Sequence, residues 1–147
     1  MKKLILSFCL LFVAATATNT LSAQIEKGAK IEFGEITHDY GSIKYEADPY
    51  CTFEFKNTGN EPLIISNAKG SCGCTVPEFS KEPIAPGATG SIRVRYDTKR
   101  PGPINKSITI DSNAINEPIK VLKIVGEVGP APESVTPVNN SGAPIGN

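Results

Sequence analysis

Tyr50-Cys51-Thr52-Phe53-Glu54-Phe55-Lys56 decides the fold. Cys51, Phe53 and Phe55 alternate with polar Thr52, Glu54 and Lys56. Successive side chains of a strand point to opposite faces, so this period of two is a strand with one buried and one wet face. Asn57-Thr58-Gly59-Asn60 follows as a turn signal. Ile92, Val94 and Tyr96 repeat the pattern against Ser91, Arg93 and Arg95.

Outward from these two strands the signals are shorter. Ile31-Glu32-Phe33 reads as an edge strand, and Ile36, His38 and Tyr40 recur at period two between Gly34 and Gly41. Leu63-Ile64-Ile65 reads as a short, more fully buried strand, and Gly70 to Cys74 as a small-residue loop. Thr75-Val76 resumes extension as far as Pro77. Pro86-Gly87 predicts a type II turn, with proline fixing the first central residue and glycine supplying positive φ at the second. Ile104 to Ile110 is a strand with Ile108 and Ile110 inward. Lys106 shares their parity and is placed at the strand end, its stem on apolar surface and its ammonium in water. Ile119 to Val128 is the last strand, and its apolar parity shifts between Val121 and Leu122, suggesting a bulge or burial on both faces.

Some seven strands over roughly a hundred residues, with 13 glycines and 12 prolines as punctuation, predict an all-β antiparallel β-sandwich. An antibody-type domain would add a cysteine facing Cys51 and a tryptophan against the bridge. Ile104 to Ile110 holds no cysteine and the chain has no Trp. The core is therefore expected to rest on Phe, Ile, Leu, Val and Tyr.

The ends differ from this body. Met1-Lys2-Lys3 is a cationic start, Leu4 to Ala15 an apolar run, and Leu21-Ser22-Ala23 a small-residue cleavage site before Gln24. That order predicts a helical signal peptide over residues 1–23. The run is short of the ~20 apolar residues of a spanning helix, so no stable membrane span is expected after cleavage. Cys9 lies within the apolar run rather than just after the cleavage site, so no lipid anchor is expected. Cleavage takes two lysines and no acid. It leaves 124 of the 147 residues, with 13 basic and 15 acidic, a formal charge of −2. That balance argues against a nucleic-acid partner. Residues 130–147 are rich in Pro, Asn, Ser and Gly with one charge, Glu133, and are expected to form a disordered tail. The sandwich is expected over residues 24–129, in the periplasm or at the cell surface or outside it.

The ordered set Phe53-Glu54-Phe55-Lys56-Asn57-Thr58-Gly59-Asn60-Glu61-Pro62-Leu63, Ser71-Cys72-Gly73-Cys74-Thr75, Pro83-Ile84-Ala85-Pro86-Gly87, Lys106-Ser107-Ile108-Thr109-Ile110 and Ser112-Asn113 resembles the bacterial domain of unknown function family 1573. His38-Asp39-Tyr40-Gly41 resembles that family's opening element. The resemblance runs from about Phe33 to Val128. It implies an immunoglobulin-like sandwich related to major sperm protein, Hydin and PapD-like domains, common in exported proteins of Bacteroidetes-like bacteria. It implies no catalytic residue and no cofactor. The related domains mostly bind proteins, which is analogy at the level of fold.

The chemical question is Cys72-Gly73-Cys74. After export three cysteines remain, so full intramolecular pairing is impossible. In extended chain, residues two apart point the same way. The pair is thus suited either to gripping a soft ion such as Cu(I) or to closing a tight disulfide. Lys69 is the nearby cation that would favour thiolate. The competing reading is structural: Cys51, inward with Phe53 and Phe55, bridges to Cys72 or Cys74 or stays a small buried hydrophobe. His38 beside Asp39 is not a catalytic dyad, because neighbours in a strand face opposite ways. Lys99-Arg100 reads as a solvated loop. No metal site and no cofactor is assigned.

The expected function is a non-enzymatic, exported binding or assembly module, acting on an unknown protein partner through sheet edges or loops. A copper-binding or thiol-redox protein using Cys72 and Cys74 is the alternative. A periplasmic chaperone that donates a strand ranks third.

Overall fold

The computed structural model describes residues 26–133. The expected signal peptide at residues 1–23, Cys9, and residues 134–147 of the expected tail lie outside the described residues. The chain forms eight strands: β1 (Ile31–Phe33), β2 (Thr37–Ile43), β3 (Tyr50–Asn57), β4 (Ile65–Gly70), β5 (Thr75–Phe79), β6 (Thr89–Tyr96), β7 (Gly102–Ser112) and β8 (Ile119–Val128). They make two four-stranded sheets, ordered β1-β3-β6-β5 and β2-β8-β7-β4. This is an all-β immunoglobulin-like sandwich. The first strand of the fold is split, with β1 in one sheet and β2 crossing to the other, so about seven strands become eight. One pair departs from the antiparallel expectation: β2 runs parallel to β8, because the crossing carries the chain over the sandwich edge without reversing it.

Alternation builds the core as expected. Cys51, Phe53 and Phe55 of β3 face inward with Ile92, Val94 and Tyr96 of β6, and β3 pairs with β6 from Tyr50↔Arg95 to Lys56↔Thr89. Ile104, Ile108 and Ile110 of β7 meet them from the other sheet with Leu122, Ile124 and Val128 of β8. The turn at Pro86-Gly87 forms, with Gly87 at φ 80° and the Ala88 N–H donating to the Ala85 carbonyl at 3.0 Å.

Several boundaries differ from the sequence reading, each for a reason of pairing. Leu63 and Ile65 are buried but Ile64 is exposed, so the apolar triplet alternates. The strand proper is β4, which continues through polar Ser66, Asn67 and Lys69 as a sheet edge. β5 does not stop at Pro77 but runs to Phe79. It is an edge strand, where a missing N–H is tolerated. Lys106 sits mid-strand rather than at an end. β4 stops pairing with β7 at Gly70↔Ile108, and the lysine stem leaves the core past that gap. β8 has no bulge between Val121 and Leu122, because its register with β7 is unbroken from Gly102↔Val128 to Asp111↔Ile119. The parity instead leaves Ile119 and Val121 facing solvent.

Asn57 was legible only as a turn residue, yet it is fully buried. Its Nδ2 donates to the Glu61 and Ile84 carbonyls at 2.8 and 2.9 Å. Its Oδ1 accepts from the N–H groups of Gly59 and Lys30 at 3.0 and 3.4 Å. Asn116 clamps β1 in the same way, exchanging hydrogen bonds of 2.8 and 3.0 Å with both backbone groups of Ile31. Side chains with two donors and an acceptor here do the pairing that irregular backbone cannot do for itself.

Candidate functional site

Cys72 and Cys74 lie in the connection that carries the chain from β4 in one sheet to β5 in the other. Small residues permit this short crossing. A Cβ on Gly70 would collide with the backbone carbonyl of Thr75, so the two stems of the loop approach as closely as glycine allows. Hydrogen bonds anchor the loop to both sides. The Ser71 N–H donates to the Ser107 carbonyl at 2.8 Å, and the Ser107 N–H donates to Ser71 Oγ at 3.2 Å. The Asp97 N–H donates to the Cys74 carbonyl at 2.9 Å, and the Thr75 N–H to that of Cys72 at 3.2 Å.

The two sulfurs are bonded to each other, with the Cα atoms 5.3 Å apart. Cys74 is buried and Cys72 partly buried. The Thr75 hydroxyl lies 3.6 Å from Cys72 Sγ and 3.8 Å from Cys74 Sγ. In the sequence Thr75 signals only the resumption of a strand. The available signal was its inward parity directly after a cysteine. A bridge closing so small a loop constrains the unfolded chain by only about 1–2 kcal/mol, against about 4–5 for one closing a hundred residues. It ties neither sheet to the other.

Cys51 takes no part in a bridge; it is a free, buried thiol on β3. The pairing of Cys51 with Cys72 or Cys74 does not occur. Cys51 lies opposite Val94 on the inner face, whereas the disulfide occupies the inter-sheet loop. Burial pushes the Cys51 thiol up, opposed by the Tyr40 side chain beside it and reinforced by Glu35. Burial likewise holds the Tyr40 phenol well above its ordinary value. A raised acid pKa in the folded state means that the unfolded chain ionises first. The stabilisation from these two groups is complete below about pH 8.5, the start of the ordinary thiol and phenol range, and is lost as pH rises towards their folded values. Urea midpoints are expected to hold near neutrality and fall at about pH 10, and Tyr40→Phe is expected to flatten that fall. An identical slope in the variant would refute the assignment.

The remaining sequence candidates make local contacts. His38 stacks edge-on against Tyr40, centroids 4.8 Å apart, and reaches Phe53 at 6.4 Å. Asp39 accepts from the Gly41 N–H at 2.7 Å, away from the imidazole. Lys99 pairs with Glu46 at 3.0 Å and Arg100 with Asp97 at 3.5 Å, both exposed. Among the described residues no group of three or more His, Cys, Asp or Glu is arranged to hold a metal, and no helix is long and apolar enough to cross a membrane.

The sheet edges are each blunted, as natural proteins blunt edges against unwanted pairing. β1 is three residues long, β2 shifts register between Asp39 and Ser42, β4 between Ile65 and Asn67, and β5 carries Pro77. β8 is paired on both sides, by β2 and β7. The two outer faces differ. That of the β1-β3-β6-β5 sheet is charged, with Glu54, Lys56, Arg93 and Arg95 outward and the Arg93 guanidinium 3.7 Å over the Tyr50 ring. On the other, β8 presents Ile119 and Val121, 64% and 46% exposed, two residues apart on an interior strand.

The family model for "Protein of unknown function (DUF1573)" matches residues 31–128. Among solved structures, a protein of unknown function from Porphyromonas gingivalis W83 has a TM-score of 0.62 at 19% identity, over 74% of this chain and 51% of that one. The ASH / PapD-like domain 7 of human CEP192 has a TM-score of 0.56 at 10% identity, over 79% of this chain and 98% of that one. The VesB protease of Vibrio cholerae has 0.53 at 11%, over 69% of this chain and 32% of that one. The chain thus spans about half of the Porphyromonas protein and a third of the protease. At these identities the likeness is one of fold. No curated protein matches the sequence.

Proposed function

The chain belongs to the DUF1573 family of proteins of unknown function, and from that membership and its PapD-like fold we propose that it is a non-enzymatic module, acting outside the cytoplasm, that binds another protein through the outer face of the β2-β8-β7-β4 sheet. The observation that carries this reading is the exposure of Ile119 and Val121 on β8. The outward face of a one-sided antiparallel sheet is ordinarily polar, and exposed apolar clusters rimmed by polar groups mark sites of association. Here the rim is Lys123 and Glu127 along β8 and Asp111 and Thr109 across from the pair on β7. The blunted edges favour the face over strand addition. The partner fitted to it is a protein surface with a small aliphatic patch and mixed charges around it.

Ile119→Glu with Val121→Glu tests this. Both side chains are largely in water, so the double variant should unfold within about 1 kcal/mol of the original chain. Crosslinking in the native envelope should recover a defined protein with the original chain and lose it with the variant. Recovery that is equal for both chains, or of small molecules alone, would count against the reading.

A further inference from the structure

The Cys72–Cys74 disulfide is a poor cross-link. It spans one residue, joins no two strands, and leaves Cys51 unbridged in the core. Its surroundings are suited to reaction. It borders a shallow groove of about 460 Å³ lined by Ala68, Lys69, Ser71, Val76 and Pro77, in which Lys69 is the sole charged side chain. Gly73, between the cysteines, has no atom near the position of a Cβ, so the tip of the loop is open. The two sulfurs are unequal, because Cys74 is 9% exposed and Cys72 is the more accessible. The Thr75 hydroxyl is within reach of both.

We propose that this disulfide is a thiol–disulfide exchange site that oxidises a dithiol in an extended polypeptide laid in the Lys69–Pro77 groove. A thiolate of the polypeptide, drawn by the Lys69 charge, attacks Cys72 Sγ. The S–S bond breaks and its electron pair leaves on Cys74 Sγ. The Thr75 hydroxyl donates a hydrogen bond to that leaving thiolate, which then takes a proton from water. The second thiolate of the polypeptide attacks its own sulfur in the mixed disulfide and releases Cys72 as a thiolate, which is protonated in turn. The polypeptide loses two electrons and two protons and gains a disulfide; Cys72 and Cys74 become two thiols. One chain oxidises one dithiol, and the step needs no other oxidant. Exchange runs faster with an accessible sulfur to attack and a hydrogen-bonded thiolate to leave; Cys72 is the more accessible sulfur, and the Thr75 hydroxyl lies 3.8 Å from Cys74 Sγ. The site is separate from the β8 face and does not depend on it.

The test uses the purified full chain, without metal or oxygen, and a synthetic peptide with two cysteines. The peptide should lose up to one dithiol per chain, at a rate at least about tenfold above that with oxidised glutathione at equal concentration. Mass spectrometry after alkylation should then find Cys72 and Cys74 modified and Cys51 untouched. Two variants test the asymmetry. With oxidised glutathione, Cys74→Ser should form the mixed disulfide at Cys72 at least about tenfold faster than Cys72→Ser forms one at Cys74. Thr75→Val should slow peptide oxidation several-fold while Thr75→Ser preserves it, with circular dichroism showing both variants folded. Peptide thiols that persist, equal reaction of the two cysteine variants, or a chain isolated with both thiols reduced on a bound metal would each overturn the proposal.

Discussion

Asn57→Ala is expected to lower stability by about 3–5 kcal/mol, a large share of the 5–15 that holds a typical domain. The side chain is fully buried and its two polar atoms make four hydrogen bonds to backbone groups of Lys30, Gly59, Glu61 and Ile84. Truncation removes all four. The Ile84 carbonyl keeps the Leu63 N–H at 2.9 Å, but the N–H groups of Lys30 and Gly59 and the Glu61 carbonyl lose their side-chain partner. A stranded buried group costs about 1–3 kcal/mol, more than the net worth of the bond it lost. Asn57→Asp sharpens the test. It keeps an acceptor for Lys30 and Gly59 but turns an oxygen towards the carbonyls of Glu61 and Ile84, so it should be no better than alanine at neutral pH. Urea unfolding followed by far-ultraviolet circular dichroism measures both. A loss below about 1 kcal/mol for alanine would show that the loops hold their places without this residue.

Phe53→Ala should cost a similar amount by another route. Phe53 is 1% exposed at the middle of β3, with Ile92 opposite it on β6 and His38 against it from the second sheet. Removing the ring loses its transfer free energy and leaves a cavity that two hydrogen-bonded sheets cannot close, together about 3–5 kcal/mol. Phe53→Leu retains most of the volume and should cost under about half as much. The denaturant midpoint should fall in that order with an unchanged slope. A small effect of alanine would mean that the sheets collapse onto the gap.

The two residues are four positions apart, yet one was legible and the other was not. Phe53 belongs to an alternation repeated over seven residues, and alternation reports a buried face without knowledge of what covers it. Asn57 has the composition of a turn, and turns are ordinarily wet. Its burial follows from the loops before β1 and β6 converging on it, which are 27 residues away in either direction. The last strand presents the same divide. Its apolar run was visible, but whether Ile119 and Val121 were buried depended on whether a third layer covered them, and none does among the described residues.

The candidate site divides in the same way. Two cysteines one residue apart in a small-residue loop were evident from spacing. Local chain stiffness also limited what they could do: face the same way, and either bind together or bond together. Which of three sulfurs pair, and that Thr75 Oγ1 sits against both members of the pair, depended on Cys51 being held on the inner face of β3 while the loop crosses outside it. Periodicity and turn chemistry are properties of neighbours along the chain, so strands, faces and the all-β class could be read from the order of residues. The parallel β2–β8 pair, the buried asparagine, the mid-strand lysine and the choice of sulfur partner are meetings of segments far apart in sequence. Those are settled by packing and hydrogen-bond satisfaction across the whole body, to which no local window has access.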